Sequence, residues 1–319
     1  MPRVNIFIPC YNAECYLQTA VESVLQQTYE DWSILIIDDC SNDRTAVVAR
    51  NLASKDNRIR LIENEVNLGM LGNWNKGVSL CTSELFVKLD ADDYWHPQFL
   101  ERSVAALDSD PEVGLIFTRY INIDENGNLL PGTDPELPAF ANDRAFSCLP
   151  LVSAGPDTML SYPVMRQGLS VMRSVIFQKI GAYRYLETEK TQAATDTEFY
   201  FRVGGHYKIH CINQVLYYYR VHAQSISATD KQSKLQDEKI YETKKSIVTY
   251  YKDAGLIEKH KARNFLDRIE TQYNFRKVAQ LKQEGRVGAS VTLMAKSLSK
   301  NPGLFLSFYL RRLSEKLHL

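Results

Sequence analysis

The stretch VKLDADDYW, residues 87 to 95, sets Asp90, Asp92 and Asp93 within four positions, directly after an apolar approach. Like charges this close repel one another, and a buried unpaired carboxylate is expensive, so the cluster calls for water or a cation. It fits a solvated loop or a set of helix caps ahead of Pro97, a calcium loop, or a single magnesium or manganese ion completed by substrate phosphates. A calcium loop alternates its oxygen ligands over a longer span, with a glycine and a distal glutamate that are missing here. The third use is preferred, because a buried strand fixes carboxylates at a sheet edge and leaves coordination positions open. A second acidic pair, Asp38 and Asp39, closes SILIIDD. It serves either as a cap for the following helix or as an acceptor for the nitrogen and hydroxyl edges of a nucleoside.

The elements around these residues follow from periodicity. VNIFIP, residues 4 to 9, is an apolar run closed by Pro9 and suits a buried strand. In NAECYLQTAVESVLQQ the pairs Tyr16/Leu17, Ala20/Val21 and Val24/Leu25 recur every four residues, which predicts a helix. SILIIDD and IRLIE are further strands, separated by a helix carrying Val47, Val48 and Leu52. Alternation of strand and helix predicts a parallel α/β sheet, whose ligands collect beyond the carboxyl ends of the strands. Both acidic clusters stand at such ends.

NLGMLGNWNKG, residues 67 to 77, is a glycine-rich entry to a helix and leads to the strand ELFVKL. It is not followed by GKS or GKT, and the first strand lacks a GxGxxG turn, so the sheet is expected to bind a nucleotide through carboxylates and a cation. VGLIFTRYINI, residues 113 to 123, is another strand. From Leu129 to Pro163 the pattern fades into a substrate-facing insertion, and Met159, Tyr162, Met165 and Arg166 are assigned to the acceptor side. Regular structure returns at 171 to 181, 196 to 204 and in the aromatic strand 214 to 221, and residues 233 to 319 read as helical.

Of 319 residues, 38 are Lys or Arg and 38 are Asp or Glu. This balance gives no electrostatic footprint for nucleic acid, so phosphate chemistry has to be local. The six cysteines form no CxxC pair or regular framework and are expected to be free thiols in a reducing compartment. No signal segment precedes the first strand and no window reaches about 18 apolar residues, which predicts a cytoplasmic protein. The final segment, with Arg311, Arg312 and Lys316 after an apolar run, suits packing on the sheet domain or a shallow seat at the anionic inner face of a membrane.

In order along the chain, FIPCYN (7–12), SVLQQTYEDW (23–32), IIDDCSND (36–43), NLGMLGNWNKG (67–77), VKLDADD (87–93), TDTEFYFRVG (195–204) and YYRVHAQSIS (218–227) resemble the family 2 glycosyltransferases of GT-A fold. The resemblance spans about residues 3 to 230. It implies an α/β, GT-A-like fold with a mostly parallel central sheet and helices on both faces. A catalytic domain over 1–230 would precede a helical C-terminal extension over 231–319.

By the same resemblance, Asp38 and Asp39 contact the nucleobase, with Pro9 and Tyr11 lining its pocket. Asp90 and Asp92 face the ribose and the metal-bound diphosphate, Asp93 is an alternative or additional metal ligand, and His222 supplies a metal or diphosphate contact. Arg220 either stabilises phosphate or pairs within the sheet. Asp196 corresponds to the catalytic base, although Thr195 stands where many relatives have a glutamate. The family's Asp-Asp-Gly-Ser is here Asp-Asp-Cys-Ser, which alters a turn but removes no ligand.

The implied activity is inverting transfer of a sugar from a nucleoside-diphosphate sugar to a glycan or lipid-linked acceptor, with Mn2+ or Mg2+. The competing readings are a sugar-phosphate nucleotidyltransferase and a catalytically silent glycan-binding or assembly protein. The missing basic glycine-rich triphosphate loop counts against the first, and the retained acidic set against the second.

Overall fold

The computed structural model describes residues 1–132, 143, 145–149, 152, 170–184, 195–223 and 236–306. Met159, Tyr162, Met165, Arg166, Arg311, Arg312 and Lys316, and the expected boundary at 230, lie outside these residues.

Four parallel strands, β1 (Val4–Cys10), β2 (Trp32–Asp38), β3 (Ile59–Glu63) and β4 (Leu85–Lys88), stand side by side in the order β3-β2-β1-β4. β1, β2 and β4 are mostly apolar because both faces are covered, whereas β3, at the sheet edge, carries exposed Arg60 and Glu63. In β1, Val4, Ile6 and Ile8 point into one core and Phe7 into the other. The first core is capped by α1 (Leu17–Leu25), α2 (Thr45–Ala53) and α4 (Phe99–Ser109), through residues such as Val21, Leu52 and Leu100. The second is capped by α3 (Gly69–Ser79), α5 (Val175–Ile180) and α6 (Thr195–Gly204). Close seating of α3 on β1 depends on Gly77, where a Cβ would stand 2.7 Å from the Phe7 ring.

Beyond β4 the sheet becomes mixed. β8 (Ser170–Arg173) runs antiparallel between β4 and β6 (Val113–Ile123). β9 (Lys208–Arg220) lies parallel to β6, and the short β5 (Tyr94–Trp95) and β7 (Ala145–Phe146) pair antiparallel to β9. β9 begins earlier than the expected aromatic run because Ile209 and Cys211 already point into the core and pair with β6.

The C-terminal helices are α7 (Gln236–Asp253), α8 (Lys259–Gln283) and α9 (Val287–Lys300). They are more than an attachment. Ile247, Val248 and Tyr251 of α7 and Ala262 and Ile269 of α8 are buried in the same core as Phe199 and Phe201 of α6. Tyr251 Oη also donates to the Phe201 carbonyl at 2.7 Å. Among the described residues, no helix is long and apolar enough to cross a membrane.

Candidate functional site

The register of β1 and β2 pairs Pro9 with Ile37 and Cys10 with Asp38, so the first acidic pair and the FIPCYN segment leave the sheet together. Asp38 and Asp39 are both buried. Asp38 accepts from the Ser41 hydroxyl at 2.5 Å and from the Ser41 N–H at 3.3 Å, which closes the turn ahead of α2; it does not cap that helix, which starts at Thr45 without a side-chain cap. Asp39 Oδ1 accepts from Asn64 Nδ2 at 2.7 Å and from the Leu68 N–H at 2.9 Å. Its Oδ2 has no hydrogen-bond partner among the described residues and can take a ligand donor. Tyr11 is exposed beside this edge, and its hydroxyl accepts from Asn42 Nδ2 at 3.2 Å.

The turn after Asp39 shows the consequence of the missing glycine. Cys40 has φ +60°, a left-handed conformation that is free for glycine and strained for a residue with a Cβ.

The three carboxylates of VKLDADDYW have three different fates. Asp93 is fully buried, accepting the Tyr217 hydroxyl on one oxygen and the Arg220 N–H, at 2.7 Å, on the other. Burial, followed by the neighbouring charges of Asp92 and Asp90, pushes its carboxyl well above the usual range. With both oxygens turned inward, Asp93 anchors the loop, and the metal-ligand role expected for it does not fit this geometry.

Arg220 belongs to the same anchor. Its Nε donates to the Asp92 carbonyl at 2.7 Å, and its Nη1 to the carbonyls of Asp124 and Glu125 at 3.1 and 2.9 Å. The guanidinium lies over the Tyr16 ring at 4.7 Å. These contacts tie the end of β9 to the loops at residues 92 and 124–125 rather than to a neighbouring strand.

This anchor leaves the Asp92 side chain one-third exposed (33%), with Oδ2 3.0 Å from His222 Nε2. The Tyr16 ring stacks obliquely beside His222, 5.2 Å between centroids. Among the described residues no three His, Cys, Asp or Glu side chains form a metal cluster. A carboxylate beside an imidazole still suits magnesium or manganese, which take one or two protein ligands and complete their shell with phosphates and water. The residues present fit such an ion.

Asp90 turns the other way. Its Oδ1 pairs with Nζ of Lys88, a fully buried lysine seated 4.2 Å over the Trp74 ring. Lys88 had no place in the sequence reading; a lone cation inside the buried strand ELFVKL was the signal that could have revealed it.

Asp196 occupies the first turn of α6, where its Oδ1 accepts the Thr197 N–H at 2.7 Å. The carboxyl keeps some access to solvent but is closely surrounded by protein. Burial raises its pKa to about 6, against the Thr197 hydrogen bond and the Lys88 charge, while Asp90 adds to the rise. A carboxylate with this pKa is ionised at neutral pH and is more basic than an ordinary one.

The helix beneath Asp196 is held by a buried ion pair that the sequence reading also missed. Arg202 Nε lies 3.0 and 2.9 Å from the two oxygens of Glu198, both side chains being inaccessible. Its Nη1 and Nη2 donate to the carbonyls of Ile180 and Ala182 at 2.6 and 2.8 Å, tying α6 to the end of α5. Opposite charges at i and i+4 on a predicted helix were the available clue.

With this geometry in hand, the model of the family described as glycosyl transferase family 2 matches residues 5–167. An uncharacterized glycosyltransferase of Methanocaldococcus jannaschii is 29% identical over 223 residues, 69% of this chain and 71% of that protein. The chondroitin synthase of Escherichia coli is 34% identical over 130 residues, 41% of this chain but 19% of the synthase. Among solved structures, S. aureus TarS 1–349 in complex with UDP-GlcNAc superposes with a TM-score of 0.62 at 17% identity, covering 85% of this chain and 71% of that one. The mannosyltransferase PcManGT from Pyrobaculum calidifontis, in complex with GDP-Man and Mn2+, gives 0.53 at 16% identity, covering 98% and 80%. At these identities the structural likeness establishes the α/β, GT-A-like fold.

Proposed function

The chain belongs to glycosyl transferase family 2, and from that premise we propose that it moves a sugar from a nucleoside-diphosphate sugar to an acceptor hydroxyl with inversion, in polysaccharide or glycoconjugate assembly. The observation that carries this reading is the division of labour among the carboxylates. Asp92 and His222 form one polar group at the strand edge, and Asp196, more basic than an ordinary carboxylate, forms another on a separate helix.

In this reading Pro9, Tyr11, Asp38 and Asp39 line the nucleobase pocket, with Asp39 Oδ2 as its open acceptor, and Asp90 meets the ribose. Asp92 and His222 would hold Mn2+ or Mg2+, which when bound offsets the negative charge of the diphosphate. Asp196 accepts the proton of the acceptor hydroxyl as that oxygen forms its bond to the anomeric carbon. The bond from that carbon to the diphosphate oxygen breaks on the opposite side, which inverts the configuration. The acceptor is a glycan or a lipid-linked glycan, and the working site is the cytoplasm, including the inner membrane surface.

A panel of sugar nucleotides, assayed for binding and turnover with manganese, magnesium or chelator, tests the proposal. The expected result is metal-stimulated release of nucleoside diphosphate. Release of pyrophosphate from a nucleoside triphosphate and a sugar phosphate would assign the site to nucleotidyl transfer. Failure to bind or turn over any donor would point to a silent binding protein.

A further inference from the structure

Lys88 closes β4, and its side chain is only 2% exposed. Strand alternation puts it there: Leu85 and Val87 point into the first core, and Phe86 and Lys88 toward the opposite face, where the Lys88 Nζ lies 4.2 Å over the Trp74 ring of α3. Nζ pairs with Asp90 Oδ1 at 2.5 Å. A lysine is rarely buried this far, and an apolar residue of similar length would fill the space without desolvating a charge. Stability does not account for this lysine.

What the ion pair controls is the direction of Asp90. The backbone on either side is already fixed, the Leu89 N–H donating to the Phe7 carbonyl at 2.9 Å and the Asp93 N–H to the Asp90 carbonyl at 3.1 Å. Leu89 and Ala91 are buried in the first core, so the Asp90 side chain between them leaves on the Lys88 side. The freedom that remains is rotation of the carboxylate, and an ammonium group held on Trp74 removes it. Asp90 itself is open to solvent: its side chain is 32% exposed, and among the described residues Oδ2 has no hydrogen-bond partner. A ligand can therefore reach the carboxylate without reaching the lysine.

We propose that Lys88 is a positioning residue for nucleotide binding: paired with Asp90 Oδ1, its ammonium group fixes the carboxylate so that Oδ2 is a preset acceptor for one ribose hydroxyl of the donor. The inference rests on the glycosyl-transfer reading, in which Asp90 meets the ribose. A carboxylate fixed before the ligand arrives gives up less rotational freedom on binding, and its bond to a hydroxyl is charge-assisted.

The test is calorimetric binding of UDP, GDP, ADP, CDP and dTDP, with Mn2+, to the full chain and to Lys88→Met, Asp90→Asn and the double variant. For the nucleotide that wild type binds most tightly, each single variant is expected to bind about tenfold more weakly, and the double variant no more weakly than Asp90→Asn. The thermal midpoint of Lys88→Met should stay level or rise. An analogue of that nucleotide lacking one ribose hydroxyl should bind wild type about tenfold more weakly than the parent, a gap that closes in Lys88→Met. If Lys88→Met is not recovered folded, Lys88→Gln goes through the same cycle with the same outcomes. Wild-type affinity in either single variant, losses that multiply in the double variant, or a ribose preference that survives in Lys88→Met overturns this inference and leaves glycosyl transfer standing. If wild type binds none of the five nucleotides and turns over no sugar nucleotide, the glycosyl-transfer reading falls and takes this inference with it.

Discussion

Replacing Asp196 by asparagine should make the protein more stable and far less active, and the size of the first effect depends on pH. The folded state raises this carboxyl from an ordinary 3.8 to about 6, chiefly by burial. At about 1.36 kcal/mol for each pH unit, a gap of that size corresponds to roughly 3 kcal/mol of disfavoured ionisation. Because the side chain keeps some contact with water, about 1–2 kcal/mol is the expected effect. The folded state holds the proton more tightly than the unfolded chain, so the group's contribution is complete below pH 3.8 and is lost as pH rises through about 6. Asparagine never ionises. Urea unfolding should therefore find Asp196→Asn close to wild type at pH 4 and about 1–2 kcal/mol more stable at pH 7.5. In the transfer assay, wild-type kcat/KM should fall as pH drops below about 6. The variant should retain donor binding and lose about 10²–10⁴ in turnover. Near-wild-type turnover by Asp196→Asn, or a stability difference that ignores pH, would refute the assignment.

Asp92→Asn should weaken donor binding only when Mn2+ or Mg2+ is present; calorimetric titration with and without chelator checks this, and an unchanged metal response removes Asp92 from the site. Cys40→Gly should raise stability by about 0.5–1 kcal/mol in urea unfolding, the relief of left-handed strain at φ +60° outweighing the entropy that glycine loses. Arg202→Met leaves Glu198 buried and uncompensated, so denaturant unfolding should record a loss of about 3–5 kcal/mol. A loss below about 1 kcal/mol would mean that the pair does not hold α6.

Strands that are largely buried announce themselves as predominantly apolar runs, which is why β1 to β4 and the acidic residues that follow β2 and β4 were legible in the sequence. The C-terminal helices were equally legible as helices. Their burial against α6 was not, because α7 carries Ile247, Val248 and Tyr251 among many charged residues and periodicity does not say which neighbour covers them. The site divides in the same way. Residue type and spacing identified Asp90, Asp92 and Asp93 as a cluster but gave the three nearly equivalent parts.

What the amino-acid sequence determined by itself was thus local: apolar runs, helical periodicity, carboxylates at strand ends, and the family they resemble. What only tertiary structure decided was which polar groups face each other across the chain. Tyr217 and Arg220 of β9 draw Asp93 inward, Lys88 takes Asp90, and Asp92 is left beside His222. Hydrogen bonding and desolvation act over a few ångströms in space, and those partners lie up to 130 residues apart along the chain. The acidic cluster is consequently three carboxylates with three environments, and only the fold tells them apart.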